Sequence, residues 1–411
     1  MKISVYTIGC KVNQYESDSI IKALTDRGHE VIDSLNYADI YIINTCAVTR
    51  EAERKSRQCI ARAKKLNANA KIYIIGCASE HNAGQFSDKD DVIFVSGTAN
   101  KSKLVLFEQL EGESIVPLPI KYEDDLTPLS LRTRSYIKVQ DGCNNFCSYC
   151  ILPYLRGRSR SRSIESIITE YKETAKVSNE IVLTGINLSA FGKDIDTSLV
   201  ELLKQLKGIG KRLRLGSLEV NIIDRELLEI LTSIDEFCPQ FHLSLQSGDD
   251  KILKDMNRHY SKEEFYHKVQ LIREYFPDAA ITTDIIVGYP TEGEVEFNST
   301  LELAERVGFS HIHCFPYSRR DGTKAAKLAI LDSSIVNDRM SRLETLRNKL
   351  TINYNQKFIG KHMEVLIEEE SKGLYQGYSR NYIKVYSSES KPLKEITIIT
   401  PSNLYEDGLI G

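Results

Sequence analysis

The sequence predicts an α/β protein of three unequal units, on three observations. The first hundred residues alternate apolar runs with helical stretches, a second βα series opens at Ser135, and the rhythm changes to short strands after about residue 350. A length of 411 residues fits two or three domains, and 41% apolar with 27% charged residues is ordinary for a chain that buries a sizeable core. Wholesale disorder is excluded. The expected architecture is an N-terminal doubly wound parallel sheet over residues 1–112, a linker over 113–132, a central partial (β/α)6 barrel over 133–350 and a small antiparallel β barrel over 351–411.

Each element follows from its pattern. Apolar runs at 3–8, 40–44, 71–75 and 92–95 read as parallel strands, separated by helices over 16–27 and 50–66. Between Leu110 and Thr133 the periodicity lapses into Glu111-Gly112-Glu113 and Glu123-Asp124-Asp125, with prolines at 117, 119 and 128, which marks the linker. Strands of the second series fall at 136–139, 180–183, 212–218, 241–246, 281–287 and 312–317, with helices such as 163–176, 199–207 and 262–274 between them. A helix near 338–355 precedes short strands at 363–368, 375–378, 383–386 and 396–399.

Net charge is −3, from 54 basic and 57 acidic residues, which argues against a uniformly basic nucleic-acid binder but leaves room for a local basic face. Nine cysteines is an odd number. The opening Met1-Lys2-Ile3-Ser4-Val5 has no signal-peptide pattern, and no stretch approaches the roughly 18 apolar residues of a membrane span. A cytoplasmic protein with no membrane partner is expected, in which clustered thiols bind metal or do chemistry.

Cys10, Cys46 and Cys77 each follow a strand of the first unit, and in a parallel sheet all strand C-termini share one edge. The three thiols can therefore converge on a ligand, and the glycines before Cys10 and Cys77 allow a tight turn or close approach. Three small buried cysteines without a role are the alternative. Cys143, Cys147 and Cys150 form a CxxxCxxC run just after the first strand of the barrel. Zinc there would require a distant fourth ligand, whereas three thiolates suit an iron–sulfur cluster that leaves one iron open. Cys59, Cys238 and Cys314 have no spacing partner and read as packing residues; His311 and His313 receive no role, lacking a ligand partner nearby.

Arg156, Arg158, Arg160 and Arg162 lie within seven residues after the cysteine loop, where an RNA backbone would pass, unless they form only a solvated loop. Tyr378, Arg380 and Tyr382 interleave aromatics with a cation, a pattern for stacking on looped RNA that core tyrosines also produce. The helix at 50–65 is basic too, but Glu51 and Glu53 fit a plain solvated face equally. Several barrel strands end in polar residues, among them Thr184-Gly185, Glu219, Gln246-Ser247 and Asp284, which can face a site or merely cap loops.

CxxxCxxC with an aromatic before its last cysteine resembles the radical S-adenosylmethionine (SAM) superfamily. Gly9-Cys10-Lys11-Val12-Asn13, Asn44-Thr45-Cys46-Ala47-Val48-Thr49 and Pro153-Tyr154-Leu155-Arg156-Gly157-Arg158-Ser159-Arg160-Ser161-Arg162 resemble its methylthiotransferases, over essentially the whole chain and with a C-terminal TRAM barrel. The Gly9-Cys10-Lys11-Val12-Asn13 opening and Gly157-Arg158-Ser159-Arg160-Ser161 are closest to the branch acting on threonylcarbamoyladenosine at position 37, beside the anticodon of tRNA. Other branches act on isopentenyladenosine tRNA or a ribosomal protein. The resemblance implies two [4Fe-4S] clusters, an auxiliary one on Cys10, Cys46 and Cys77 and a SAM-binding one on Cys143, Cys147 and Cys150. It also implies SAM as methyl donor and as source of a 5′-deoxyadenosyl radical, held by Gly185, Glu219, Gln246 and Asp284. Arg258 could reach the SAM carboxylate or cap a helix. The implied partners are the tRNA anticodon stem-loop and an electron donor such as flavodoxin or ferredoxin, on a monomeric enzyme. A zinc-containing RNA-binding protein is the alternative from another class.

Overall fold

A computed structural model of the chain describes residues 1–88, 91–123, 127–128 and 132–411. Its first unit is a parallel sheet of β1 (Lys2–Thr7), β2 (Glu30–Ile32), β3 (Ile40–Thr45), β4 (Lys71–Gly76), β5 (Val92–Ser96) and β6 (Gly112–Ser114), in the order β2-β1-β3-β4-β5-β6. β3 is buried along its whole length because helices cover both sheet faces, which explains its continuous apolar run Ile40–Ile43. Alternate residues feed two cores: Ile40 and Ile42 join Ile20 and Leu24, while Tyr41 and Ile43 join Cys59 and Ile60. The helix α1 (Lys11–Asp26) contributes to the first core and α2 (Arg50–Leu66) to the second. Thr49 caps α2 by accepting from Ala52 N at 3.1 Å, with Glu51 and Glu53 in the first turn and Lys64 and Lys65 in the last, as the helix dipole favours.

Three details differ from the sequence expectation, the first being the short edge strand β2, which no apolar run announced. α1 starts at Lys11 rather than residue 16, because its first turn is polar and becomes buried only when a second unit packs on it. β6 occupies the start of the expected linker; residues 124–126 and 129–131 of that linker lie outside the described residues.

The second unit contains β7 (Ser135–Asp141), β8 (Arg160–Ser161), β9 (Glu180–Gly185), β10 (Arg212–Leu215), β11 (Gln240–His242), β12 (Ala280–Val287) and β13 (His311–Pro316). β10-β9-β7 and β11-β12-β13 are parallel arcs joined by the bridges Leu213↔Phe237 and Leu218↔Leu243, and β8 pairs antiparallel with β7. Six parallel strands thus make an open barrel with β7 and β13 at its two edges.

The first unit packs along both edges. On one side α1 lies against β7, with Tyr15 Oη donating to Glu170 at 3.1 Å. On the other, Arg50 N donates to Ser318 Oγ at 3.1 Å and Arg320 pairs with Glu53, which also bonds His81 Nδ1 at 2.9 Å. The missing barrel wall is therefore supplied by another domain.

The helix Ser333–Gln356 runs past the boundary expected at 350, because Tyr354 belongs to the core of the last unit. That unit is a six-stranded sheet of β14 (Met363–Ser371), β15 (Leu374–Ser379), β16 (Lys384–Ser387), β17 (Ile396–Ile399), β18 (Asn403–Tyr405) and β19 (Gly408–Ile410). Its pairs are antiparallel except β16 with β19. Among the described residues no helix is long and apolar enough to cross a membrane.

Candidate active site

Cys10, Cys46 and Cys77 stand at the ends of β1, β3 and β4, on one edge of the first sheet. Cys10 is the N-terminal flanking residue of α1, and Cys77 opens α3 (Cys77–His81). Asn13 ties two of the loops by donating to Ile8 O at 2.9 Å and Thr45 O at 3.0 Å. Gly9 has φ +110, and a Cβ there would stand 2.9 Å from Cys46 Sγ, so only glycine lets the first cysteine loop close on the second. Gly9→Ala is expected to weaken retention of a metal group at these three cysteines severalfold, while leaving the other three untouched; iron analysis of the purified variant checks this.

Burial and the neighbouring Cys77 push the Cys46 thiol up to about 12. Burial also raises Cys77, but Arg156 opposes it, donating from Nε to Cys77 Sγ at 3.4 Å. All of the cysteines are free thiols. Thiols that raise one another in this way become stable as thiolates when a cationic metal group sits between them. The cradle fits an iron–sulfur cluster.

The second set has the same character. Cys143 N donates to Gly157 O at 3.0 Å and Cys150 N to Cys147 O at 2.9 Å, fixing the loop after β7. Asn187 Nδ2 approaches Cys143 Sγ at 3.8 Å, and Arg258 Nη1 donates to Cys147 Sγ at 3.4 Å. Burial and Cys147 push Cys150 up to about 12. Phe146 stands at φ +47 in the left-handed region, held there by Asn257 Nδ2 donating to Asn145 O at 2.8 Å and Phe146 O at 3.3 Å.

The polar strand ends gather around this loop. Glu219 accepts from Asn145 Nδ2 at 2.5 Å and pairs with Arg258 at 3.1 Å. Gly185 lies against Gln140, whose Oε1 would be 2.9 Å from an added Cβ. Gln246, at φ +71, donates its N–H to Asp284 O at 2.9 Å. Asp284 also receives His242 Nε2 at 3.2 Å, and His242 Nδ1 bonds Thr282 Oγ1 at 3.0 Å.

His313 requires a correction. The β12–β13 register sets it beside Asp284, and His242, Asp284 and His313 bring one potential ligand atom each to within 4.8 Å of one another. Their signal was the alternation of polar residues on three neighbouring strands, invisible until the register is known. Burial lowers His313, whereas Asp284 stays below the usual carboxylate range because the His242 bond outweighs burial.

The arginine run is largely turned inward, which corrects the expected RNA face. Arg156 is 0% exposed and reaches Glu16 Oε1 at 2.6 Å, Asp141 at 3.4 Å and Asn13. Lys101 and Lys138 pair with Glu16 as well, and these cations outweigh burial to hold its carboxyl well below the usual range. Arg160 pairs with Asp141 at 3.2 Å, and Arg162 with Glu170. Arg158 alone of the four is exposed, its guanidinium 4.6 Å from the Phe146 ring centroid. In the last unit Tyr378 and Tyr382 stack at 4.6 Å, and Tyr382 is exposed. Arg380 instead reaches back to the barrel, donating to Phe237 O at 3.0 Å and Asp235 O.

Sequence reasoning gave Lys11 no role of its own. It follows Cys10 directly, is exposed, and makes no hydrogen bond or ion pair among the described residues. Its surroundings include Arg214, Arg134 and Glu180 of the barrel, and its charge is felt at His313 on the opposite barrel edge.

Residues 2–97 match the model of the uncharacterized protein family UPF0004, and residues 137–304 that of the radical SAM superfamily. A threonylcarbamoyladenosine tRNA methylthiotransferase, MtaB, of Aquifex aeolicus is 38% identical over 92% of this chain and 95% of the relative. The MtaB protein of Bacillus subtilis is 35% identical over 93% and 89%. A tRNA-2-methylthio-N(6)-dimethylallyladenosine synthase of a Thermoanaerobacter species is 36% identical over 90% and 82%. Among solved structures, the radical SAM methyltransferase TsrM of Kitasatospora setae, with cobalamin and a [4Fe-4S] cluster bound, gives a TM-score of 0.57 at 13% identity, covering 91% of this chain and 77% of that one. That likeness is one of fold.

Proposed function

We infer the reaction from the premise that this chain belongs to the radical SAM methylthiotransferase family. The chain methylthiolates C2 of N6-threonylcarbamoyladenosine at position 37 of tRNA, as the names of its MtaB relatives suggest. The observation that carries this reading is the pair of three-cysteine sets, one on a sheet edge and one on a barrel loop, linked through Arg156.

Cys143, Cys147 and Cys150 are assigned to a SAM-binding [4Fe-4S] cluster, and Cys10, Cys46 and Cys77 to an auxiliary one. When bound, the clusters and SAM supply radical hydrogen abstraction, methyl donation and the transferred sulfur. Such chemistry suits the target, because a C2–H bond on a neutral aromatic ring offers little to acid–base catalysis. The chain's own part is positioning. Arg258 would pair with the SAM carboxylate, Glu219 would fix Arg258 and the cysteine loop, and Gln246, Asp284 and Gly185 would shape the floor on which SAM lies. The first unit, set along both open edges of the barrel, holds the two cysteine sets in one assembly, with Cys10 still exposed. Arg158 is the exposed cation beside the cysteine loop that looped RNA would meet, while Tyr378 and Tyr382 stack on each other against Arg134 and Arg214. A reducing partner such as flavodoxin or ferredoxin, a monomeric state and a cytoplasmic setting complete the reading.

Nucleoside mass spectrometry of tRNA from a strain lacking the gene tests it. Loss of 2-methylthio-threonylcarbamoyladenosine, restored by the gene, is expected. An unchanged level of that nucleoside would overturn the substrate assignment.

A further inference from the structure

The inner face of the barrel holds a group of side chains that neither cysteine set uses. Phe241, Ile285 and Ile312 join the core formed with the covering helices, together with Phe265 and Leu303. Side chains alternate along a strand, so His242, Asp284 and His313, each one residue away, lie on the inner face.

Two imidazoles and a carboxylate converge there. One ligand atom from each lies within 4.8 Å of the other two, and His242 Nε2 stands 3.2 Å from Asp284 Oδ2. Neighbouring ligand atoms on a tetrahedral zinc ion, each about 2.0–2.1 Å from the metal, are about 3.3 Å apart. The first pair is already at that spacing, and the exposed side chain of His313 can swing the remaining distance. A hydrogen-bonded His–Asp pair alone accounts for His242 and Asp284. It does not account for His313, whose ring centroid lies 5.6 Å from that of His242 and which makes no hydrogen bond among the described residues.

The neighbours are those a metal-binding histidine needs. Gln240 Nε2 donates to Thr282 Oγ1 at 3.0 Å, and the same oxygen bonds His242 Nδ1 at 3.0 Å. Thr282 Oγ1 can therefore accept from Nδ1, so that Nε2, which faces Asp284, gives up its proton and turns a lone pair to an ion while the ring keeps its orientation. Asp284 serves the SAM floor through its backbone carbonyl, which accepts from Gln246 N at 2.9 Å, and its carboxylate is left for the ion.

We propose that His242, Asp284 and His313 form a third metal centre, binding one divalent first-row transition ion of the zinc class through two imidazole nitrogens and one carboxylate oxygen. Three protein ligands leave a coordination position open, to be filled by water or by an oxygen of a molecule held in the barrel. The ion would tie β11, β12 and β13 together just below the Gln246–Asp284 bond. The site goes beyond the methylthiotransferase reading and does not depend on which nucleoside is modified.

The test uses the anaerobically reconstituted enzyme, given zinc chloride, desalted and analysed for zinc and iron. Zinc binds such sites more tightly than ferrous iron, so it displaces any iron taken up there during reconstitution. About one zinc per chain is expected beside about eight irons. X-ray absorption at the zinc edge should show nitrogen and oxygen ligands at about 2.0–2.1 Å and no sulfur at about 2.3 Å. His313→Gln and His242→Gln should each lose the zinc with iron content unchanged, which also shows that the variants fold and hold their clusters, whereas His311→Gln should keep it. Absence of zinc in the wild type, sulfur among its ligands, or full retention by either of the first two variants overturns the inference, and loss in His311→Gln overturns the ligand set. None of these outcomes touches the substrate reading, which stands or falls on the tRNA nucleoside.

Discussion

Cys143→Ala is expected to lower the iron content of the anaerobically reconstituted chain from about eight to about four atoms and to abolish methylthiolation. The physical reason is the small number of ligands. Each set offers three thiols, with none in reserve among the described residues: Cys59 and Cys238 are buried elsewhere, and Cys314 points its thiol at Ile312 O, 3.7 Å away. Losing one thiolate leaves two, too few to hold a cubane against competing thiols. Cys10→Ala should give the complementary result, emptying the sheet-edge site and keeping the loop site. The checks are iron and sulfide analysis with electron paramagnetic resonance of the reduced protein. A variant retaining eight irons would remove the basis for assigning that cysteine to a cluster.

Arg156→Leu should be the most destabilising single substitution in the chain that spares every cysteine, by about 3–5 kcal/mol. Arg156 is fully buried between the sheet edge of the first unit and the cysteine loop of the second. Removing its guanidinium strands Glu16 and Asp141 with less compensation than their burial demands and takes away the donor on Cys77 Sγ. Urea unfolding of the metal-free chain measures the loss. Combining it with Glu16→Leu provides the control: because the two groups serve each other, the double variant should be clearly less destabilised than the sum of the singles. Additive effects would show that Arg156 is not the link between the two units.

How much of this was legible beforehand depends on what sort of information each feature needs. The strands carrying Cys10, Cys46 and Cys77 could be read because parallel strands covered on both faces are nearly unbroken apolar runs, as in Tyr41-Ile42-Ile43, and strand direction then places all three cysteines on one edge. The loop triad is local in sequence and needs no fold at all. The arginines after it were misjudged, since a run of alternating basic and small residues says nothing about which way each side chain turns. That is decided by Glu16, Asp141 and Glu170, which are distant in sequence. His313 escaped notice because its partner is set by strand register.

The contact between Glu53 and Arg320 closes the barrel's open side across a sequence separation of 267 residues. All six cysteines assigned to clusters lie at or before residue 150. During synthesis the thiol sites therefore leave the ribosome long before the segment that shuts them in, and domains fold in that order. The chain is thus built with an interval in which all six thiols are out of the ribosome while the Glu53–Arg320 contact has yet to form.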